Sequence, residues 1–257
     1  MIRNLLIPAA ALAAALTLAA AHAGAASIPK NIAAAVADGN RPDADKQRDE
    51  NRKPAETLAF TGVKPGEQIA ELLPGSGYYT RIFSKAVGGS GHVYALVPAP
   101  PPNAPADAPD RAAAVKAIAA DPNYSNVSVV VEPFSQLAAP APVDLVWTSQ
   151  NYHDLHNIPG LDIRMFNKRV FDGLKPGGVY LILDHNAETG SGTRDTKTLH
   201  RIDAEAVKQE LLAAGFVFVG SSDLLHQAGD NHTLKVFDPT IRGKTDQFIL
   251  KFRKPGK

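Results

Sequence analysis

Cysteine is absent from the 257 residues. Disulfides, a thiolate nucleophile and lipid attachment at a signal-peptide cysteine are thereby excluded. A surplus of positive charge is also absent, with 27 Lys and Arg against 26 Asp and Glu, so nothing points to nucleic-acid binding. Three signatures of chemistry are missing as well. No His-Glu-x-x-His pair is present for zinc, and Gly75-Ser76-Gly77 lacks the flanking spacing of a Gly-x-Ser-x-Gly nucleophile elbow. The third glycine of a dinucleotide fingerprint is replaced by Thr80, which argues against NAD or FAD.

What is present begins with Met1-Ile2-Arg3, an Ala- and Leu-rich run from Leu5 to Ala20, and the small-x-small triplet Ala21-His22-Ala23. Charge, short apolar core and cleavage triplet predict a signal peptide over residues 1–23. The run is short and weak for a retained span. The expected product is exported, periplasmic or secreted, without stable membrane association after cleavage. Loss of Arg3 brings the formal charge from +1 to 0. Residues 24–53 read as a helical leader, charged from Pro29 to Lys53, packed on one α/β domain over 54–257. Pro98 to Pro109 reads as a surface loop in extended polyproline form.

Within the domain, strands alternate with helices. Strands are expected at Gln68–Leu73, His92–Val97, Val127–Val131, Val143–Thr148 and Val179–Asp184. Helices fall between or after them at Tyr78–Val87, Asp110–Ala120, Leu161–Leu174 and Asp203–Ala214, the last with an Asp cap. Such alternation implies a mostly parallel sheet covered on both faces. Phe216–Gly220 and Gln247–Phe252 then follow with no helix between them, which predicts an antiparallel hairpin at one edge. A parallel sheet with one reversed strand is the methyltransferase variant of the doubly wound, Rossmann-like fold.

The most informative segment is Glu71-Leu72-Leu73-Pro74-Gly75-Ser76-Gly77-Tyr78-Tyr79-Thr80, where a strand ends in glycines and a helix begins. Glycines there let a ligand touch the backbone, although a tight strand-to-helix turn explains the same residues. The second turn, Lys175-Pro176-Gly177-Gly178, stops a helix before a buried strand. Asn151-Tyr152-His153-Asp154 and Asp184-His185 follow neighbouring strands at the carboxyl edge, where open α/β sheets bind ligands. Tyr152, His153, Asp184 and His185 are therefore candidates for one pocket, with His200 and Arg201 closing it. Each histidine taken singly reads equally well as a hydrogen-bonded structural residue. His153, Asp154, His156, Asp184 and His185 could in principle hold a metal, but two pairs from separate loops are a weak signal and no metal is expected.

Several segments carry a resemblance: Arg52-Lys53-Pro54-Ala55-Glu56, the Pro74–Thr80 turn, Asn151-Tyr152-His153-Asp154-Leu155-His156, Leu183-Asp184-His185, Leu199-His200-Arg201-Ile202-Asp203 and Gly243-Lys244-Thr245-Asp246. Together they cover most of residues 48–254, and the chain resembles a family of bacterial predicted methyltransferases, often exported, of the class I S-adenosylmethionine-dependent type. The resemblance implies methyl transfer from S-adenosylmethionine to an unassigned, small-molecule acceptor. It places Glu71 on the ammonium of the methionyl moiety, with Pro74, Gly75, Ser76, Gly77, Tyr79 and Asn151 around the cofactor. Glu132 could bond the adenine amine and Phe134 could cover the ring, though a capped strand end explains both as well. The acceptor would lie near Tyr152, Asp184 and His185, with His185 or His153 as base. One departure stands out: the acidic residue expected to bind the ribose hydroxyls at the end of strand two is Val97. The alternative reading is an exported, non-catalytic ligand-binding protein on a degenerate methyltransferase fold.

Overall fold

The computed structural model describes residues 27–101, 103–105 and 107–256, so the expected signal peptide lies outside the described residues. None of the described helices is long and apolar enough to cross a membrane. Four short helices come first: α1 (Lys30–Val36), α2 (Asp43–Lys46), α3 (Asp49–Arg52) and α4 (Pro54–Thr61). Seven strands follow, β1 (Gln68–Leu72), β2 (His92–Pro98), β3 (Val127–Glu132), β4 (Val143–Ser149), β5 (Leu174–His185), β6 (Val217–Ser222) and β7 (Gln247–Arg253). Between them run α5 (Tyr78–Val87), α6 (Ala113–Ala120), α7 (Tyr152–Leu155), α8 (Ile163–Gly173) and α9 (Ala204–Ala213).

The strands form one sheet in the order β3-β2-β1-β4-β5-β7-β6. β1 to β5 are parallel, and β7 alone runs the other way, pairing with β5 on one side and β6 on the other. The expected hairpin is therefore present, with its second strand inserted next to β5 rather than on the rim.

Alternation along each strand feeds two apolar layers. Ile69, Val93, Leu145, Trp147, Leu181 and Ile249 face α1, α4, α5 and α6. Ala70, Leu96, Val146, Tyr180, Ile182 and Phe252 face α8 and α9. Trp147 is fully buried, its ring centred 4.6 Å from Tyr79 and 5.2 Å from Phe83 of α5. Burial of side chains this size stabilises by roughly 1.5–3 kcal/mol each. Helix starts follow their caps: the Asp203 carboxylate accepts from Glu205 N–H, and that of Asp162 from Arg164 and Met165.

Two local expectations change. β5 starts at Leu174 rather than after the Lys-Pro-Gly-Gly turn, because Leu174 pairs with Val143 and the register shifts before Val179. Gly177, at φ 80°, lets the strand kink there while its N–H bonds Lys254 O. The proline-rich segment is not a continuous polyproline helix either. Ala104 N–H bonds Pro101 O, and Ala108 N–H bonds Pro105 O, so it folds into successive turns. They wall a cavity of about 850 Å³ at the ends of β2 and β3.

Candidate active site

β1 delivers Glu71 to the carboxyl edge of the sheet, where it lies beside Trp147 of β4. Its carboxyl group is buried and accepts a hydrogen bond from the Thr80 hydroxyl at 2.5 Å. Burial dominates, pushing its pKa up to about 8 against the lowering effect of Thr80, Arg52 and Arg81. Immediately after β1 the backbone is held in the left-handed region at Leu73 (φ 51°), Gly75 (φ 57°) and Gly77 (φ 78°). Strain of this kind on a non-glycine residue gathers at ligand sites, and Gln150 (φ 60°) and His200 (φ 57°) repeat it at the same edge.

The glycines of the turn differ in what they face. A Cβ on Gly75 would meet nothing within 4 Å, whereas one on Gly77 would lie 2.1 Å from Ile118 Cδ1 of α6. Gly75 is thus the position where a ligand can reach the backbone, and Gly77 is the position where α6 packs against it. Gly77 also caps α5 without a side chain, leaving the N-terminal N–H groups of that helix facing the turn. Pro74 accepts from Gly77 N–H, and Ser76 is exposed.

Over the turn lies a cavity of about 210 Å³ lined by Arg52, Glu71, Gly75, Tyr79, Trp147 and Gln150 among others. A second, of about 290 Å³, shares Arg48, Arg52 and Gln150 with it and is bounded by His185, Phe237 and Arg242. Arg52 spans both. Its guanidinium lies 4.7 Å from the Tyr78 ring centre and donates to Gln150 Oε1 at 2.9 Å, while Gln150 donates to Gln247 of β7 at 2.8 Å. The Trp147 indole N–H on the first cavity and Asn151 Oδ1, just after β4, are buried without a partner. The Asn151 amide nitrogen is tied to Leu73 O at 3.1 Å.

His185 lies on the second cavity with Nδ1 2.8 Å from the Thr245 hydroxyl. Desolvation dominates its titration and lowers its pKa to about 4, so the ring is neutral near pH 7. In the tautomer whose Nδ1–H donates to Thr245, Nε2 keeps a free lone pair. Asp184 does different work. It is fully buried and accepts from His153 N–H (2.8 Å), His153 Nδ1 (2.8 Å) and His185 N–H (2.7 Å), fixing both histidines. Burial lowers the basicity of His153, but Asp184 and Asp154 outweigh it and hold the ring up to about 10. Both ring nitrogens of His153 thus face carboxylates, whereas the His185 ring borders the second cavity.

Other expected residues are placed elsewhere. Tyr152 is fully buried, its hydroxyl donating to Glu210 (2.7 Å) and accepting from Asn167 (2.8 Å) in the layer under α8 and α9. Glu132 is exposed, and Phe134 packs half-buried against that same layer, away from the glycine turn. Arg201 is fully buried on Asp230 at 2.9 Å, while His200 turns toward His153. Val97 packs in the α5–α6 layer, 4% exposed. Arg48, Trp147, Gln150 and Thr245 join the site with no assigned role in the sequence reading. Of the site's residues outside the candidates, Arg52 and Thr245 lie inside resembling segments.

No family model matches the chain, and no curated protein matches it in sequence. Solved structures do. A SAM-dependent methyltransferase from Aquifex aeolicus superposes with a TM-score of 0.53 at 18% identity, over 83% of this chain and 98% of that one. This is the Rossmann-like fold of the class I methyltransferases. The glycopeptide N-methyltransferase MtfA bound to S-adenosylmethionine shares it (TM-score 0.51, 16% identity, 78% of this chain and 86% of that one). So does the [4+2]-cyclase SpnF (TM-score 0.55, 18% identity, 86% and 85%). A methyltransferase and a cyclase on one fold leave the reaction to be argued from the site.

Proposed function

We propose that the chain is an S-adenosylmethionine-dependent methyltransferase acting on a small-molecule acceptor, exported behind a signal peptide over residues 1–23. The observation that carries the reading is the buried Glu71 carboxyl beneath an open Gly75, beside an uncapped helix N-terminus. These are partners for an ammonium, a close backbone approach and a carboxylate, the three demands of a methionyl moiety. The unpaired Trp147 N–H fits a polar ligand in the same cavity. The ribose end is less well provided, because Val97 offers no acceptor.

Bound S-adenosylmethionine supplies an electrophilic methyl group on its sulfonium. The protein's part is then to hold and deprotonate. Glu71 would hold the ammonium, while Arg52 and the first N–H groups of α5 would hold the carboxylate. His185 Nε2 takes the proton of an acceptor hydroxyl or amine lying in the adjoining cavity, and Thr245 and Asp184 keep its ring in place. Calorimetric titration with S-adenosylmethionine and S-adenosylhomocysteine tests the reading. One site per chain, lost in Gly75→Val, supports it; no binding by the folded wild-type protein overturns it. N-terminal sequencing of exported protein tests the leader, with Gly24 as the expected first residue.

A further inference from the structure

Three donor atoms, two on α7 and one in the loop between β5 and α9, meet beside Asp184. His153 Nε2 and Asp154 Oδ1 are 3.3 Å apart, His153 Nε2 and His200 Nδ1 3.3 Å, and His200 Nδ1 and Asp154 Oδ1 3.5 Å. The triangle is nearly equilateral. Its edges are long for charge-assisted hydrogen bonds, which run at about 2.7–2.9 Å. The contrast is internal, since the same His153 ring makes a 2.8 Å bond to Asp184 through its other nitrogen. A tetrahedral ion bound at ~2.0–2.1 Å separates its nitrogen and oxygen ligands by about 3.3–3.4 Å, whereas an octahedral ion with similar bonds brings them to about 3.0 Å.

We propose that His153 Nε2, Asp154 Oδ1 and His200 Nδ1 form a binding site for one tetrahedral divalent ion of the zinc class, with its fourth position open. Independent features support the assignment. Asp184 bonds His153 Nδ1, the outer-carboxylate arrangement that orients an imidazole toward a metal. Two carboxylates converge on one ring, an excess of negative charge that a cation relieves. His200 is held at φ 57°, a conformation that costs energy for a histidine, with its Nδ1 on the other two donors and the Phe237 ring tilted against it at 4.9 Å. Asp154 is half exposed, so an ion can enter from solvent. Two histidines and one carboxylate suit zinc or its cobalt substitute better than calcium or magnesium, which take oxygen ligands.

This site does not depend on the methyltransferase reading, and its test uses no cofactor. Tag-free, chelator-stripped protein is titrated with ZnCl₂ by calorimetry, and with CoCl₂ by visible absorption. The expected result is one ion per chain, with the intense bands of tetrahedral cobalt. His200→Gly removes a ligand while suiting the left-handed backbone, so the variant should fold as judged by circular dichroism and lose the site. Asp184→Asn should weaken binding by about 10- to 100-fold through the outer shell alone. Absence of stoichiometric binding to the wild-type chain overturns the proposal. So does undiminished binding by folded His200→Gly, which would place the ion elsewhere, for instance at His226, His232 and Asp246.

Discussion

The Thr80 hydroxyl, on the first turn of α5, donates to the buried Glu71 carboxyl at the end of β1 across 2.5 Å. This single bond joins the strand to the helix beneath the glycine turn and is the main local compensation for burying the acid. It does not offset desolvation, and Glu71 titrates near 8. The folded state therefore holds a proton that the unfolded chain releases near 4.5.

From that difference, Glu71 should contribute a fall in stability as pH rises from about 4.5 to about 8, because its native carboxyl keeps a proton that the unfolded chain has lost. The lowered pKa of His185 acts in the opposite sense below about 6.5, and the raised one of His153 in the same sense above it. Relative to wild type, Glu71→Gln should lack the Glu71 contribution to the slope and be more stable at pH 8 by a few kcal/mol. Urea denaturation at a series of pH values measures it. Equal slopes in both proteins would remove Glu71 from the account.

The same acid predicts how a ligand ammonium binds. S-adenosylhomocysteine affinity should rise about tenfold per pH unit below 8, with release of one proton. Calorimetry in buffers of different ionisation enthalpy counts that proton. A pH-independent affinity would show that the ammonium is held by another group.

Gly75→Ala and Gly77→Ala should separate ligand contact from packing. Both carry a left-handed strain of about 1–2 kcal/mol, but only Gly77→Ala drives a methyl into Ile118 at 2.1 Å. Gly77→Ala should be the less stable of the two by chemical denaturation, and Gly75→Ala the one that loses ligand affinity while folded. The reverse ranking would mean that the turn is read the wrong way round.

Val97→Asp should destabilise the fold by several kcal/mol and add no affinity for S-adenosylhomocysteine. Val97 is packed in the layer under α5 and α6, and the Lys116 side chain on the same cavity is already paired with Asp110. A stable variant with tighter binding would instead reveal a ribose pocket waiting for its carboxylate.

His185→Ala should lower turnover by about 10²- to 10⁴-fold once an acceptor is in hand, with little change in cofactor affinity. Single-turnover kinetics beside a cofactor titration decides it. Unchanged turnover would take the proton from His185 and leave positioning as the whole of catalysis.

Much of this architecture was legible in the chain itself. The seven strands and the covering helices follow from apolar runs, glycine turns and Asp caps, because those signals are local. The inserted position of β7 was not legible, since the pairing partner of a strand depends on contacts distant in sequence. The site was legible only in outline. Glu71, Gly75 and His185 could be placed because strand ends fix them. Tyr152 could not, because α7 begins at it and turns its ring into the core, while its neighbour His153 points to Asp184. Arg52 and Gln150 entered through tertiary folding, and the left-handed backbone at Gln150 has no signature in residue type.

β7 is the latest of the seven strands to be synthesised, and both β5 and β6 depend on it for a partner. Until Gln247–Arg253 leaves the ribosome, β5 presents a free edge from Val179 to His185 and β6 has nothing to pair with. The apolar side chains of that edge, Leu181, Ile182 and Leu183 among them, belong to both core layers. A nascent chain of this topology consequently cannot close its sheet strand by strand. It remains open-edged and prone to association until β7 has emerged, so its yield should depend on chaperones that bind extended chain.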